Sequence, residues 1–269
     1  IETPDHADKN SAHEPTFSME TSFYETNKAV SEYLLFHYGD QAEFLLNGIG
    51  PTEALGFSRR CGKLHRQFDI NRRRALDLGC AVGGSAFAMS QDFDEVVGLD
   101  YSHALIEAAQ RMSSEREIAI PIASEGELTR DISVSLQTTD RPNRVRFEQG
   151  DAMNLDPQLG CFDFVLMANL IDRLPDPASC LSGIHDFVSA NGLLAITSPY
   201  TWLEEYTPKK NWLGGYVANG TPIRTHDTLV ELLGERFELI DTRDLPFLIR
   251  EHERKNQYSI AQATLWRKR

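Results

Sequence analysis

The spacing of apolar and polar positions divides the chain into a polar start, one helical stretch and a long alternation of strands and helices. Residues 1–22 show no periodic apolar face, so we expect a flexible linker or tail there. From Tyr24 onward, apolar residues recur at helical spacing as far as Gly39, a typical C-cap, and predict a helix. Residues 40–71 place short apolar runs between glycines, so 23–71 as a whole is expected to form a helical cap.

Beyond the cap, strand-like and helix-like runs alternate over residues 72–269 and predict one core domain. The predicted strands are Arg74–Leu78, Glu95–Leu99, Arg144–Glu148, Phe162–Ala168, Gly192–Thr197, Phe237–Thr242 and Ser259–Trp266. The predicted helices are Gly83–Gln91, Ser102–Arg111, Ala178–Ser189 and Thr225–Leu233. This alternation is typical of an α/β fold with a mostly parallel sheet covered on both faces. The last two strands are expected to pair as an antiparallel hairpin at one edge.

Two segments are longer than ordinary connections and are expected to be insertions. Residues 113–143 alternate isoleucine and other apolar residues with polar ones, which predicts an extra β excursion. Residues 198–227 hold five aromatic residues and several glycines at the carboxyl edge of the predicted sheet. Long insertions of this kind are usually functional or disordered, and the aromatic content favours function.

Composition and charge narrow the choice of partners. Of the 269 residues, 41% are hydrophobic and 25% charged, and the formal net charge is −13. Such a surface repels a phosphodiester backbone, so we expect a small-molecule partner and no nucleic acid. No run approaches the roughly 18 apolar residues of a membrane helix and no charged-then-apolar leader is present, so we expect a cytoplasmic protein without a membrane partner. The four cysteines and eight histidines show no metal-ligand spacing, and no metal is expected.

The strongest chemical signal is the string ALDLGCAVGGSAF at residues 75–87. A buried strand passes through Asp77, turns through small residues and opens a helix, so that the backbone can approach a ligand and offer unpaired N–H groups. The second strand is followed by Asp100, suited to a ribose diol, and the third by Asp151, suited to an adenine amino group. A tight turn without function is the alternative, but acidic residues at the ends of successive strands argue against it.

The residues of this turn also bear on which nucleotide is bound. Gly79, Ala81 and Gly84 nearly match the dinucleotide fingerprint G-x-G-x-x-G, which leaves a nicotinamide-dependent oxidoreductase as an alternative. However, the Ala81 methyl group stands where a pyrophosphate needs bare backbone, and Asp77 would repel two phosphates. S-adenosylmethionine carries a sulfonium, an ammonium and one carboxylate, so the charge pattern favours this methyl donor, with S-adenosylhomocysteine as its product.

The arrangement resembles the class I S-adenosylmethionine-dependent methyltransferases over roughly residues 72–269, and this resemblance implies a Rossmann-like sheet of six parallel strands and one antiparallel strand. The strings YETNKAVSEYLLFHYG, ANLIDRLPDP, TSPYTWLEEYTPKKNWLGGY and LPFLIREHERKNQYS resemble the 4-mercaptohistidine N1-methyltransferases of ovothiol biosynthesis. That resemblance implies methylation of an imidazole ring nitrogen of 4-mercaptohistidine to give ovothiol A. It also implies a frequent fusion behind an iron-dependent 5-histidylcysteine sulfoxide synthase, which would account for a start at Ile1. Methylation of another small molecule, or donor binding without catalysis, remains open.

The expected contacts with the methyl donor lie at the helix start and at the strand ends. They are Tyr24, Asn27, Asp77, Gly79, Cys80, Ala81, Gly83, Asp100, Tyr101, Asp151, Ala152 and Asn169. Cys80 is expected to be a small packing residue and not a nucleophile. His37, on the first helix, is expected to be a packed or surface histidine.

The expected catalytic residues follow the fourth strand. Asn169 would orient a ring nitrogen without adding charge, and Asp172 would accept a ring proton. An ion pair with Arg173 or a helix N-cap is an equal alternative for Asp172.

The expected substrate contacts are Arg173, Tyr200, Trp202, Trp212, Tyr216 and Arg250. Arg250 would clamp the substrate carboxylate, with Arg173 as its rival, and Glu204 or Glu205 would meet the ammonium. The aromatic residues would form a lid, with core packing as the alternative for Trp202 or Trp212.

Overall fold

The computed structural model describes residues 21–269, so most of the segment 1–22, expected to be a linker, lies outside the described residues. The helices are α1 Thr21–Tyr24, α2 Asn27–Tyr38, α3 Gln41–Phe44, α4 Phe57–Gly62, α5 Gly84–Met89, α6 His103–Glu115, α7 Pro177–Gly183 and α8 Thr225–Leu233. The strands are β1 Arg74–Leu78, β2 Glu95–Asp100, β3 Glu117–Glu125, β4 Leu128–Ser135, β5 Val145–Gln149, β6 Phe162–Ala168, β7 Val188–Ser198, β8 Tyr216–Ala218, β9 Thr221–Ile223, β10 Phe237–His252 and β11 Lys255–Lys268. Within residues 21–269, no helix has the length and apolar character needed to cross a bilayer.

Seven strands form one sheet in the order β10-β11-β7-β6-β1-β2-β5. The strands β5, β2, β1, β6 and β7 pair in parallel, and β11 is antiparallel to both β7 and β10. This confirms the predicted α/β sheet with an antiparallel hairpin at one edge. The chain fills the sheet outward from β1 in one direction and then from β6 in the other, so the crevice between the carboxyl ends of β1 and β6 is the expected ligand position.

Apolar side chains on alternate faces of the central strands form two cores, one on each side of the sheet. Ala75 faces the core that includes the cap helices, whereas Leu76 and Leu78 face the core shared with α7 and α8. All of β6 except its last residue is buried. Since a parallel strand covered on both faces is mostly apolar, β1 and β6 stand out in the sequence and match their predicted bounds.

Several predicted elements have other bounds in the structure, and four of them differ for a clear reason. The first helix begins at Asn27, after a short α1, because Thr26 Oγ1 caps it by accepting the Ala29 N–H at 3.1 Å. The helix predicted over Ala178–Ser189 ends early, since Val188 already pairs with Phe162 as part of β7. The last two strands are much longer than predicted, spanning residues 237–252 and 255–268.

The two hairpins β3–β4 and β10–β11 close over the cap. The excursion predicted within 113–143 is the β3–β4 hairpin, whose inward side chains include Ile118 and Ile120. Only the second half of β11 pairs with β7, where Gln262 faces Ser198, so the hairpin tip projects beyond the carboxyl end of the sheet. There the Glu253 N–H donates to the Ser124 carbonyl oxygen at 3.3 Å and joins the two hairpins.

Candidate active site

The glycine turn, residues 79–84 between β1 and α5, is shaped by left-handed backbone and close packing. Gly79, Ala81 and Gly83 have φ angles of 76°, 47° and 86°. A Cβ on Gly79 would lie 2.9 Å from Leu170 Cδ1, so the segment after β6 packs directly against the turn. This contact brings the ends of β1 and β6 together at the expected ligand position.

Asp100, at the end of β2, ties its own loop to the glycine turn. Its Oδ2 accepts the Ala81 N–H at 2.8 Å, and its Oδ1 accepts the Ser102 N–H at 3.0 Å. Burial raises the pKa of Asp100, although both backbone N–H groups favour its ionised form. The carboxylate therefore lies beside the turn, as a ribose contact requires.

Asp77 is fully buried below the turn and has one oxygen to spare. Its Oδ2 accepts the Ser85 hydroxyl at 2.5 Å, while its Oδ1 has no hydrogen-bond partner within residues 21–269. Burial raises the pKa of Asp77 to about 7. A buried acceptor without a partner is unfavourable, so this oxygen fits a ligand that brings a hydrogen-bond donor or a positive charge.

The cap helix α2 lies directly on the glycine turn. The Tyr38 hydroxyl donates to the Val82 carbonyl at 2.5 Å, and the Gly84 N–H donates to His37 Nδ1 at 3.0 Å. Burial lowers the pKa of His37 to about 3, so the ring is neutral and acts as an acceptor. His37 is thus buried against the turn, which is the packed alternative of the sequence analysis and not the surface one.

The start of the cap also covers the loop from Asp100 to Ser102 between β2 and α6, called here the Asp100 loop. The Ser102 hydroxyl donates to the Tyr24 carbonyl at 3.1 Å. The Glu25 carboxylate accepts the His103 and Ala104 N–H groups at 3.0 and 3.1 Å, at the N-terminus of α6. Asn27, the first residue of α2, is exposed at this border.

Three tyrosines from different segments meet next to this border. The rings of Tyr24 and Tyr33 lie 6.0 Å apart between centroids, and the Tyr24 hydroxyl interacts with that of Tyr206. Burial raises the pKa of Tyr33 to about 12, with the nearby Asp100 carboxylate adding to the effect. The guanidinium of Arg173 lies 4.7 Å from the centre of the Tyr206 ring. The cluster therefore connects the Asp100 loop with the residues after β6.

The loop after β5 adjoins Asp100 but exposes its own carboxylate. The Gly150 N–H donates to the Asp100 carbonyl at 2.9 Å. Asp151 is exposed, and its Oδ1 accepts the Met153 N–H at 2.8 Å. Ala152 is half-buried, and Tyr101 is 60% exposed. These three residues border the Asp100 loop on its solvent side.

Polar groups after β6 and β7 form a second region, called here the β6–β7 edge, which comprises residues 169–173 and 197–201. Asp172 is buried, with Oδ2 accepting the Thr201 N–H at 3.1 Å and Arg173 Nη1 at 3.0 Å. Its Oδ1 has no hydrogen-bond partner within the described chain, and burial raises the pKa of Asp172, an effect that Arg173 and the nearby Ser198 hydroxyl partly oppose. Asp172 thus forms the ion pair with Arg173 that was one of its two alternatives, and only Oδ2 takes part in it.

Four aromatic residues of the insertion lie in three different settings. Tyr200 lies at the β6–β7 edge with a φ of 56°, and its hydroxyl donates to Gln262 Oε1 at 2.8 Å. Trp202 and Trp212 stack at 6.4 Å between centroids, and Trp202 is buried with its Nε1–H donating to Thr225 Oγ1 at 2.9 Å. Tyr216 is exposed on β8. Glu204 and Glu205 are also exposed.

Arg250 lies apart from the β6–β7 edge, in the projecting tip of β10–β11. It faces Asn256, six positions before Gln262 in β11, which corresponds to roughly 20 Å along the strand. The side chain is buried near Arg130, Glu43 and Glu253, and burial lowers its pKa. Nε and Nη2 have no partner among residues 21–269. The structure thus brings Arg173, and not Arg250, next to Asp172.

Sequence reasoning did not assign five residues that the structure places at the site. They are Tyr33, Tyr38, Thr197, Tyr206 and Gln262. The spacing of Tyr33 and His37, four apart on one helix face, is a signal that could have identified that face. Thr197, a polar residue closing an apolar strand, is another.

Comparisons with known proteins agree with this geometry. A family model described as a methyltransferase domain matches residues 56–238. A probable S-adenosylmethionine-dependent methyltransferase of Saccharomyces cerevisiae is 29% identical over 27% of this chain and 24% of its own length. A ubiquinone biosynthesis O-methyltransferase of Pseudomonas aeruginosa is 23% identical over 57% of this chain and 53% of its own length. The chain thus spans about half or less of the length of these relatives.

Solved structures share the fold. The N-methyltransferase NodS of Bradyrhizobium japonicum, in complex with S-adenosyl-L-homocysteine, has a TM-score of 0.51 at 10% identity, over 91% of this chain and 98% of its own. The magnesium protoporphyrin IX methyltransferase of Synechocystis, with bound S-adenosylmethionine, has a TM-score of 0.55 at 12% identity, over 96% of this chain and 100% of its own. The [4+2]-cyclase SpnF has a TM-score of 0.57 at 16% identity, over 94% of this chain and 97% of its own. At these identities the likeness concerns the fold alone.

Proposed function

Because the chain belongs to the family of class I S-adenosylmethionine-dependent methyltransferases, we propose that it methylates an imidazole ring nitrogen of 4-mercaptohistidine to give ovothiol A. The specific substrate is suggested by the strings that resemble ovothiol-biosynthesis methyltransferases. We propose further that a sulfoxide synthase, fused or separate, supplies the thiolated histidine. The β6–β7 edge, where the buried Asp172 carboxylate lies beside the Arg173 guanidinium, supports a small substrate that carries both charges of an amino acid.

The residues around the glycine turn fit S-adenosylmethionine, which supplies an activated methyl group on a cationic sulfur. Asp77 Oδ1, buried and without a partner among residues 21–269, would accept the ammonium group of the methionine end. Asp100 would hold the ribose hydroxyls and Asp151 the adenine amino group. Tyr24 and Asn27 would cover the methionine end from the cap.

The observation that carries the proposal is the pair of groups at Asp172 and Arg173. Asp172 offers one buried oxygen that has no partner in the described part of the chain, and its raised pKa suits a group that accepts a ring N–H proton. Arg173 uses only Nη1 in hydrogen bonds within residues 21–269, which leaves Nε and Nη2 to bind a carboxylate. We therefore propose Arg173 as the carboxylate clamp, in place of Arg250, which the structure carries away from this edge.

Tyr200 lies near Asp172, the Arg173 guanidinium lies over the Tyr206 ring, and both aromatic rings are suited to a flat imidazole ring. Displacement at the methyl group is favourable once the reactants are aligned, so the main tasks of these side chains are to orient the ring and exclude water. The family match and the buried carboxylate of Asp77 argue against the alternative of a nicotinamide-dependent oxidoreductase.

The test is to incubate the full chain with S-adenosylmethionine and 4-mercaptohistidine and to locate the added methyl group by tandem mass spectrometry. We expect methylation on a ring nitrogen and much slower turnover of histidine, which lacks the sulfur. Equal turnover of the two, or transfer only to the hydroxyl of a simple catechol, would refute the substrate. As a control, Asp100→Ala is expected to abolish binding of S-adenosylhomocysteine in isothermal titration.

A further inference from the structure

The side-chain amide of Asn169 is held in one orientation. Asn169 has a φ of 52°, and its backbone N–H donates to the Thr197 carbonyl at 2.8 Å and to Thr197 Oγ1 at 3.1 Å. The Thr197 hydroxyl in turn donates to Asn169 Oδ1 at 2.9 Å. Thr197 is fully buried, so this pairing takes place inside the sheet, away from solvent.

The acceptors around the Thr197 hydroxyl favour one orientation of the Asn169 amide. A hydroxyl has a single proton, and that of Thr197 is directed at Asn169 Oδ1. The reversed amide would make Oγ1 accept both the backbone and the side-chain N–H of Asn169, and its proton would turn to the nearby Cys61 sulfur. Burial raises the pKa of the Cys61 thiol to about 12, and a neutral thiol is a weaker acceptor than the amide oxygen that the hydroxyl now contacts. Asn169 Nδ2 makes no hydrogen bond within residues 21–269, so the half-buried amide presents N–H donors at the β6–β7 edge.

A thioimidazole offers two kinds of nucleophile to one methyl group. The attacking atom must keep a lone pair directed at the methyl carbon, so it cannot accept a hydrogen bond through that pair. An anionic sulfur is a softer nucleophile than the ring nitrogen and a charge-assisted hydrogen-bond acceptor. N–H donors placed on the sulfur would therefore orient it and occupy its lone pairs at the same time.

We propose that Asn169 binds the substrate sulfur and that Thr197 is the positioning residue that holds the amide for this task. Together they would direct methylation to nitrogen. The ring nitrogen lone pair forms the new N–CH3 bond, the electron pair of the broken S–CH3 bond stays on the sulfur of the methyl donor, and the ring proton leaves to Asp172. The inference rests on the proposed substrate.

The test measures the ratio of S-methyl to N-methyl product from 4-mercaptohistidine for a set of full-chain variants. Asn169→Asp and Thr197→Val remove or release the N–H donors, and we expect each to raise this ratio by at least about tenfold, as for loss of one charge-assisted hydrogen bond. Thr197→Ser keeps the hydroxyl and is expected to retain the wild-type ratio. Thr207→Val is the matched control, because that buried hydroxyl donates to the Leu174 carbonyl at 2.7 Å and makes no hydrogen bond with Asn169 within residues 21–269.

The outcomes separate the two claims. An unchanged ratio in Asn169→Asp, with titration of S-adenosylhomocysteine showing an intact fold, would overturn the role of Asn169. A changed ratio there with an unchanged one in Thr197→Val would overturn the role of Thr197. Should either variant fail to bind S-adenosylhomocysteine, Asn169→Gly, which tolerates the positive φ, and Thr197→Ala give the same comparison. Wild-type protein that methylates neither atom would refute the proposed function itself.

Discussion

Replacing Asp77 by asparagine should change how stability depends on pH. Burial raises the pKa of this carboxyl from an ordinary value of 3.8 to about 7, and the Ser85 hydroxyl and the Ala86 N–H only partly oppose the effect. The folded protein therefore holds this proton more tightly than the unfolded chain does. With that sign, the free energy of unfolding falls as the pH rises from about 4 to about 7 and then levels off.

The size of the effect follows from the two pKa values. Between pH 5 and pH 8, ionisation of Asp77 lowers the free energy of unfolding by about 3 kcal/mol. Asparagine does not ionise, so Asp77→Asn lacks this loss, whatever constant cost its amide brings. The burial that raises the pKa of Asp100 is present in both proteins and largely cancels in the comparison.

The assay is urea unfolding of both proteins at intervals between pH 5 and pH 8. We expect the difference in unfolding free energy to shift in favour of Asp77→Asn by about 3 kcal/mol across this range. S-adenosylhomocysteine should stabilise the wild type more at pH 8 than at pH 5, because its ammonium pairs with the ionised carboxylate, and should bind Asp77→Asn much more weakly. Ser85→Ala removes the hydrogen bond that lowers the Asp77 pKa and should move the loss to higher pH. Parallel stability curves for wild type and Asp77→Asn would refute the reasoning.

Three further substitutions test other contacts. Glu25→Ala removes the acceptor of the His103 and Ala104 N–H groups. We expect the free energy of unfolding, measured by thermal unfolding, to fall by about 1 kcal/mol and S-adenosylhomocysteine to bind several-fold more weakly. Replacing the exposed Glu115 by alanine is the control and should change neither quantity. Arg59→Ala leaves the buried Asp140 carboxylate without the bidentate ion pair at 2.7 and 3.0 Å; we expect a loss of about 3–5 kcal/mol in urea unfolding, and a loss below about 1 kcal/mol would contradict it. Tyr200→Phe removes the hydroxyl that donates to Gln262, and we expect the KM for the substrate that receives the methyl group to rise about fivefold to tenfold in steady-state kinetics. The affinity for S-adenosylhomocysteine should stay unchanged. A change in that affinity, with an unchanged KM, would instead place Tyr200 at the methyl-donor site.

The central strands were predictable because local pattern and final burial coincide in them. β1, β6 and α8 match their predicted bounds. The apolar run of a strand covered on both faces, and the apolar spacing of an amphipathic helix, directly indicate which residues become buried. The β10–β11 hairpin extends well past its predicted bounds because its tip packs on the cap instead of the sheet. Ile249, Tyr258 and Ile260 are 40%, 48% and 50% exposed there, so the tip lacks the apolar alternation of a buried strand.

The site residues also divide into those that the local sequence pattern predicts and those that depend on tertiary contacts. Asp77, Asp100 and Asn169 follow or end parallel strands, and the carboxyl ends of such strands meet at one edge whatever the details of packing. Tyr33 and Tyr206 come from the cap and the insertion, whose paths over the sheet depend on tertiary contacts. Arg250 was predicted to be a site residue but lies elsewhere. An apolar run followed by arginine indicates a buried cation, but the sequence does not show where the hairpin places that side chain.

Burial of carboxylates explains why the site suits a cation without phosphates. Burial raises the pKa of Asp77, Asp100 and Asp172, and Asp100 is itself one of the causes of the raised value at Asp77. A dinucleotide would bring two negative phosphates to this edge and add to the repulsion. A ligand with a sulfonium and an ammonium offsets it, and this favours the ionised form of each carboxylate once bound. In the proposed reaction, Asp172 would act as the proton acceptor, and it would gain its charge from the same binding event that supplies the methyl group.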